Sequence, residues 1–326
     1  MLSWQKAARL AVSVTLTTLA GAAAGHAEAQ GHFERTLTVS GPVDMDVETG
    51  SGSINVRTGA AGRVEIHADI RAGWHVGGDV EARIHQIETN PPIEQNGNTI
   101  RIGHLEDHEF LNHISISYEI TVPVETRLRS QTGSGDERIE GIRGPVDATS
   151  GSGSLRLSQI GGEVHSRTGS GDIEMESVNG NVRTSSGSGS IHATGIAGGL
   201  VASTGSGDVK LEQTAAGDVE VSTGSGEVEL SGVKGGARVT TGSGRITAEG
   251  QPSGEWRLHT GSGDVSVRFP ADAAFDLSAR SSSGRIDTNR EITVSGTLNP
   301  RELHGKVKGG GNLVDLSTSS GSIQIE

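Results

Sequence analysis

The stretch GHLEDHEFLNH gathers His104, Asp107, His108, Glu109 and His113, residue types that ligate Zn²⁺ or exchange protons near neutrality. Its His-Glu-x-x-x-His run has one residue too many for a zinc-protease helix, so His108 and His113 would not share a face. His104 and His108 would share one only if the segment were helical. A solvated loop joining two strands accounts for the same residues. His104, His108 and His113 therefore stand as weak metal candidates, no catalytic residue is assigned, and no cofactor is expected.

The second candidate is a phrase. Thr-Gly-Ser-Gly, or a close variant, begins at Thr49, Thr132, Ser150, Thr168, Ser186, Thr204, Thr223, Thr241, Thr260, Ser281 and Thr318. A phosphate cradle needs a third glycine opening a helix, or a following Lys-Ser/Thr; here a short β alternation follows instead. A calcium coil of the repeat-in-toxin kind wants G-G-x-G-x-D. Here the acid directly follows the second glycine, is Asp only at 136, 172, 208 and 264, and shares its column with Arg245 and Arg285. A row of Ca²⁺ ions would not tolerate those arginines. A nucleophile needs one site with its own base and oxyanion donors, whereas Ser170, Ser188 and Ser206 recur in every copy. They read as a stacked hydroxyl ladder beside a turn, and the Thr or Ser that opens each copy also offers a hydroxyl to tie adjacent corners together. Acids and arginines elsewhere show no convergent set for polysaccharide cleavage. Trp256 falls at an inward strand position and reads as core; Trp74, among glycines, suits cap packing or an exposed contact.

The phrase is instead the corner of a shape. From Thr132 to Thr260 its spacing is 18, 18, 18, 18, 19, 18 and 19 residues, the signature of a solenoid. Ile173, Val182 and Ile191 are nine apart, so each coil holds two short strands and two turns. Alternation turns Ile173, Met175, Val209 and Leu211 inward on one strand, and Val182, Val219, Val221 and Leu258 inward on the other. The corner glycines Gly52, Gly135, Gly153, Gly171, Gly189, Gly207, Gly226, Gly244, Gly263, Gly284 and Gly321 are structural, permitting a sharp or positive-φ turn. The residue after each corner glycine alternates acid with serine or arginine, apart from the neighbours Asp208 and Glu227. That is expected if successive copies sit one strand spacing apart, where like charges repel.

The predicted fold class is all-β, a β-solenoid (β-helix-like) of about 18-residue two-strand coils with a β-rich N-terminal insertion. Residues 1–29 read as a signal peptide: Lys6 and Arg9, an apolar run to Ala24, then Ala27-Glu28-Ala29. Residues 30–56 supply the first solenoid strands, 57–131 a β-rich cap with an ambiguous element around Val80, Ile84 and Ile87, and 132–326 the repeats with a break at 288–313. The final copy stops within a strand, so either a loop covers that end or the edge accepts a partner's strand. The 50 glycines, single tyrosine, four phenylalanines and three tryptophans fit a thin architecture without a thick core.

The strand Tyr118-Glu-Ile-Thr-Val-Pro123 followed by tandem T-G-S-G-D-[IV] units resembles the bacterial putative-adhesin family, exported domains related to autotransporter-like adhesin heads. The resemblance implies a β-solenoid and supplies no catalytic motif. No cysteine is present, and the formal net charge is −13, which argues against disulfides, a lipidated Cys, and nucleic acid as a partner. No apolar stretch after the leader is long enough to span a bilayer. The expectation is a non-enzymatic protein exported to the periplasm or outside the cell, adhesin-like, binding an envelope or cell-surface protein or polysaccharide. The alternative is a periplasmic accessory or scaffold of an envelope-stress signalling system. A polysaccharide-active enzyme stands third.

Overall fold

The computed structural model describes residues 29–73, 79–104, 112–294 and 299–326. Residues 1–28 of the expected leader, Trp74, Asp107, His108 and Glu109 lie outside them. Among the described residues two long sheets face each other, an upstream sheet of 15 strands that contains those running into the corners and a downstream sheet of 14 that contains those leaving them.

Each repeat makes one coil. Val164–Thr168 enters the corner, Ile173–Val178 leaves it, and Val182–Ser186 begins the next coil. Pairing is parallel and in register, Val164 to Val182 to Leu200 on one sheet and Ile173 to Ile191 to Val209 on the other. Burial alternates strictly along the upstream strands because successive side chains point to opposite faces. The inward set includes Ala148, Ala193, Ala202 and Ala248, small enough to keep the two sheets close.

The corner works through its first residue. Thr168 is 2% exposed; its Oγ1 donates to the Gly153 carbonyl at 2.8 Å and accepts the Gly171 N–H at 3.2 Å. One hydroxyl thus closes its own turn and ties it to the coil below. Ser150, Ser186, Thr204, Thr223, Thr241, Thr260 and Thr318 donate likewise to the preceding corner glycine in space. The expected ladder of Ser170, Ser188 and Ser206 is not formed: these side chains are exposed at the tips. The reason for glycine also differs from the expected one. Among the corner glycines only Gly52 and Gly263 have positive φ, 137° and 157°. Elsewhere stacking distance decides: a Cβ on Gly171 would lie 2.0 Å from the Gly153 carbonyl oxygen, and one on Gly153 1.8 Å from that of Gly135. The acids of the next column accept the backbone N–H one coil on, Ser154 to Asp136, Ser190 to Asp172 and Glu227 to Asp208, each at 2.8 Å.

Both ends are threaded. Val43–Thr49 lies between Thr99–Ile102 and Thr126–Thr132 in the upstream sheet, and Ile54–Thr58 between Ile114–Val122 and Glu137–Glu140 in the downstream sheet. The first coil in the chain is therefore second in space. At the other end Asn312–Ser320 inserts between Trp256–Ser262 and Phe275–Ser281, and Ile323–Ile325 between Val265–Arg268 and Ile286–Thr288. The final strand is thus paired on both sides, and the edge of the downstream sheet is Ile286–Thr288 rather than the last strand of the chain. The upstream sheet finishes in the antiparallel strands Glu302–Val307 and Ile292–Val294. Arg290 fastens this end by donating to the carbonyls of Pro270 and Glu326, both at 2.9 Å, and of Phe269.

The N-terminal cap extends the downstream sheet beyond Ile114–Val122 with Arg63–Ala72, antiparallel to it, and then with Gln30–Thr38, antiparallel in turn to Arg63–Ala72. The ambiguous element is a helix, Asp79–Thr89, burying Val80, Ile84 and Ile87 at helical spacing. Pro91 and Pro92 come just after its end, where proline cannot continue a helix.

One inward position breaks the apolar rule. Glu137 stands in register between Ile54 and Leu155, 1% exposed. Its Oε2 accepts the Ser130 hydroxyl from the facing sheet, while its Oε1 has no partner among the described residues. Burial pushes this carboxyl up to about 7, with Asp147 adding to the rise and the Ser130 hydrogen bond opposing it. The folded protein therefore holds a proton that the unfolded chain releases above about pH 4.5. Stability attributable to this group is complete below that value, falls as pH rises to about 7, and levels off above.

Thr168→Val should cost about 1–3 kcal/mol by stranding a buried carbonyl and N–H, Gly171→Ala at least as much through overpacking against backbone, and Ser170→Ala under about 0.5 kcal/mol; chemical denaturation measures all three. Glu137→Gln should be more stable than the parent by about 2–3 kcal/mol at pH 8, with the difference shrinking towards pH 4.5, as read from melting temperatures across that range.

Candidate interaction face

The same alternation that builds the core sets which side chains the coils offer to solvent. Each inner strand of the upstream sheet turns its second and fourth residues outward, and parallel register stacks them into columns about 4.8 Å apart per step. The principal column runs Arg101, Asp46, Arg129, Asp147, His165, Arg183, Val201, Glu220, Arg238, Arg257 and Asp315. Arg167 stands in the neighbouring column, between Thr149 and Ser185.

The two faces differ in charge. Between Thr126 and Ser262 the strands of the upstream face carry Arg127, Arg129, Arg167, Arg183, Arg238 and Arg257 against Asp147 and Glu220, with Glu163, Asp218 and Glu255 on the turns that enter them. Over the same coils the downstream face carries Glu140, Glu174, Glu176, Glu212, Glu229 and Glu249 against Arg138, Arg156, Lys210 and Arg268. Several downstream cations are held by cross-coil carboxylates, Arg156 to Glu174 at 2.7 Å and Lys210 to Glu229 at 3.0 Å. On the upstream face Arg129 reaches Asp147 at 3.7 Å and Arg257 reaches Glu255 at 2.7 Å. Arg127, Arg167, Arg183 and Arg238 form no ion pair among the described residues. A net charge of −13 thus conceals one face on which arginines outnumber acids.

The N-terminal part of this face is concave. A groove of about 420 Å³ is lined by Asp44, Asp46, Arg101, Arg127, Arg129, Asp147, Glu163 and His165. Its charges alternate, and His165 lies 3.1 Å from Glu163. This arrangement suits binding of a ligand with polar groups of both signs.

His104 projects beside the same face, within 3.4 Å of Asp46 and 3.3 Å of Glu48. His113 is exposed, has a φ of +65°, and contributes its carbonyl to the Gly73 N–H at 2.7 Å. Among the described residues no group of three or more His, Asp or Glu is arranged to hold a metal ion. Trp256 is fully buried, its Nε1 donating to the Gly235 carbonyl at 3.0 Å. The arginine column was not singled out from the sequence, although a signal existed: Arg183, Arg238 and Arg257 each come directly after the first inward residue of their strands, Val182, Ala237 and Trp256.

Among solved structures, this chain is similar to a putative adhesin from Bacteroides fragilis NCTC 9343, at 14% identity over 91% of this chain and 97% of that one, with a TM-score of 0.35. A putative lipid binding protein from Parabacteroides distasonis ATCC 8503 matches at 12% identity over 90% and 96%, TM-score 0.41. A putative cell adhesion protein from Clostridium sporogenes ATCC 15579 matches at 12% identity over 90% and 99%, TM-score 0.20. No curated protein matches. The profile of the Toastrack DUF4097 family matches residues 93–326, the span that holds the stacked coils from the strand at Thr99 onward, and the chain belongs to that family.

Proposed function

We propose that this is a non-enzymatic exported protein, adhesin-like in use, whose long strand faces bind an envelope or cell-surface component. In this reading 1–29 direct export, the stacked strands from Val43 onward, including Thr99–Ile102, Ile114–Val122 and Thr126–Thr132, form the displaying solenoid, and Gln30–Thr38, Arg63–Ala72 and the helix Asp79–Thr89 cap it, so the cap is not the continuous block 57–131 that the sequence suggested. The supporting observation is the register of the outward columns. Side chains from Asp46 to Asp315 are held at fixed intervals on a backbone whose own hydrogen bonds are internal, so the face is preorganised for contact without folding on binding. A repeating ladder suits recognition of an extended partner better than it suits a single reacting bond, which requires one convergent set of groups.

The test is retention on an isolated bacterial envelope, separated into polysaccharide and protein fractions that are immobilised apart. Saturable retention of the purified protein on one fraction, with no soluble fragments released, is expected. Released fragments would replace this reading with an enzymatic one, and failure to bind any fraction would remove it.

A further inference from the structure

The upstream face has a shape as well as a sign. From the strand of Arg129 to that of Arg257 there are seven strand spacings, roughly 34 Å. The two outward columns stand only about 7 Å apart. Arg129, Arg183 and Arg238 recur every third strand, roughly 14 Å apart. Arg167 lies one strand before Arg183, and Arg257 one strand after Arg238. Adjacent Arg238 and Arg257 are like charges in direct register, an arrangement that destabilises a sheet. Arg238 stands in register between Glu220 and Arg257, is exposed, and forms no ion pair among the described residues.

We infer that this strip is the docking surface for a linear anionic polysaccharide laid along the solenoid axis, its carboxylates received by Arg167, Arg183 and Arg238. This deepens the function proposed above and rests on it. Guanidinium groups bind carboxylates through paired, charge-assisted hydrogen bonds, and strands place them at set intervals along one line. A strip this narrow fits one polymer chain.

Two further features select a polymer over an anionic membrane. The turns entering this sheet carry Glu125, Glu163, Asp218 and Glu255 along one rim, which would repel a flat anionic surface but leave room for a chain over the strip. Among the described residues the exposed large hydrophobics are Val201 and Leu313, too few for the apolar insertion that accompanies stable interfacial binding. The strip carries no aromatic residue, so recognition rests on charge and weakens with salt.

The experiment titrates the purified protein with polygalacturonate, with neutral dextran, and with vesicles of phosphatidylglycerol and phosphatidylcholine. Polygalacturonate should bind at about 50 mM salt and lose affinity steeply as salt rises, as counterion release requires, while dextran should not bind. The pair Arg183→Ser and Arg238→Ser should weaken binding at least about tenfold and flatten the salt dependence. The pair Arg138→Ser and Lys210→Ser, which removes the same charge from the opposite face, should change affinity less than about twofold. Equal losses from both pairs, or no preference for polygalacturonate over dextran, would overturn the assignment; binding to vesicles alone would transfer the strip to lipid and overturn it too. If envelope retention persists unchanged in Arg183→Ser/Arg238→Ser, the general interaction role stands and only this face is wrong. If the parent is retained by no envelope fraction, both fall. All four positions are exposed, and a circular dichroism spectrum matching the parent's separates lost contact from lost fold.

Discussion

Everything in this molecule depends on the distance between one corner and the next. Parallel strands stack about 4.8 Å apart, and a turn that repeats at this spacing must bring backbone onto backbone. At Gly153 and Gly171 the approach leaves no room for a Cβ against the carbonyl below. The contact is made productive by one buried hydroxyl, which satisfies that carbonyl and the N–H of its own turn together. Buried backbone groups that lacked such partners would each carry a desolvation cost. Glycine and threonine are thus two halves of one solution, glycine permitting the approach and threonine supplying its hydrogen bonds.

This constraint is why the repeat was readable and why its exceptions were not. The 18-residue period, the two strands per coil and the inward set all come from residue types that recur at fixed offsets, and Val182, Thr184, Ile191 and Ala193 are buried where alternation puts them. Which hydroxyl bonds across coils was not readable, because Thr168 and Ser170 are both offered by the phrase and only backbone direction decides between them. Threading at the ends has no local signature either. Pairing of Ile323 with both Val265 and Ile286 is set by where the chain returns after a broken period, which periodicity does not encode. The arginine strip was hidden for a different reason: summed charge averages over faces that alternation keeps apart.

The aromatic residues show how the narrow core is closed. Between Tyr118 and Trp256 the sequence has none, because a coil built from Val, Ile, Leu and Ala leaves no volume for a ring between close sheets. Rings reappear where regular stacking stops. Phe33 meets Tyr118 edge-on at 6.4 Å at the N-terminal end, and Trp256, Phe269 and Phe275 cluster at 5.1 and 4.8 Å at the other. A solenoid must cover the apolar cross-section of its last coils. Here aromatic bulk does so together with a threaded coil, in which Asn312–Ser320 slides beneath the earlier strand Phe275–Ser281 and is paired along both edges.

Because the ladder inside the coils fixes the shape, the outward positions are largely released from folding. Their side chains are exposed, and pairs such as Arg156–Glu174 contribute little to stability when solvated. Selection on those positions can therefore act on charge alone. The adjacent arginines 238 and 257 illustrate the point: a fold indifferent to its surface would alternate signs there, as it does between Arg129 and Asp147. Glu137 is the converse, a charge-bearing group placed where the core wants an apolar residue and held neutral by burial. It is paired with Ser130 on the strand that also displays Arg127 and Arg129. Inside the coils chemistry serves the spacing; outside them, the spacing serves chemistry.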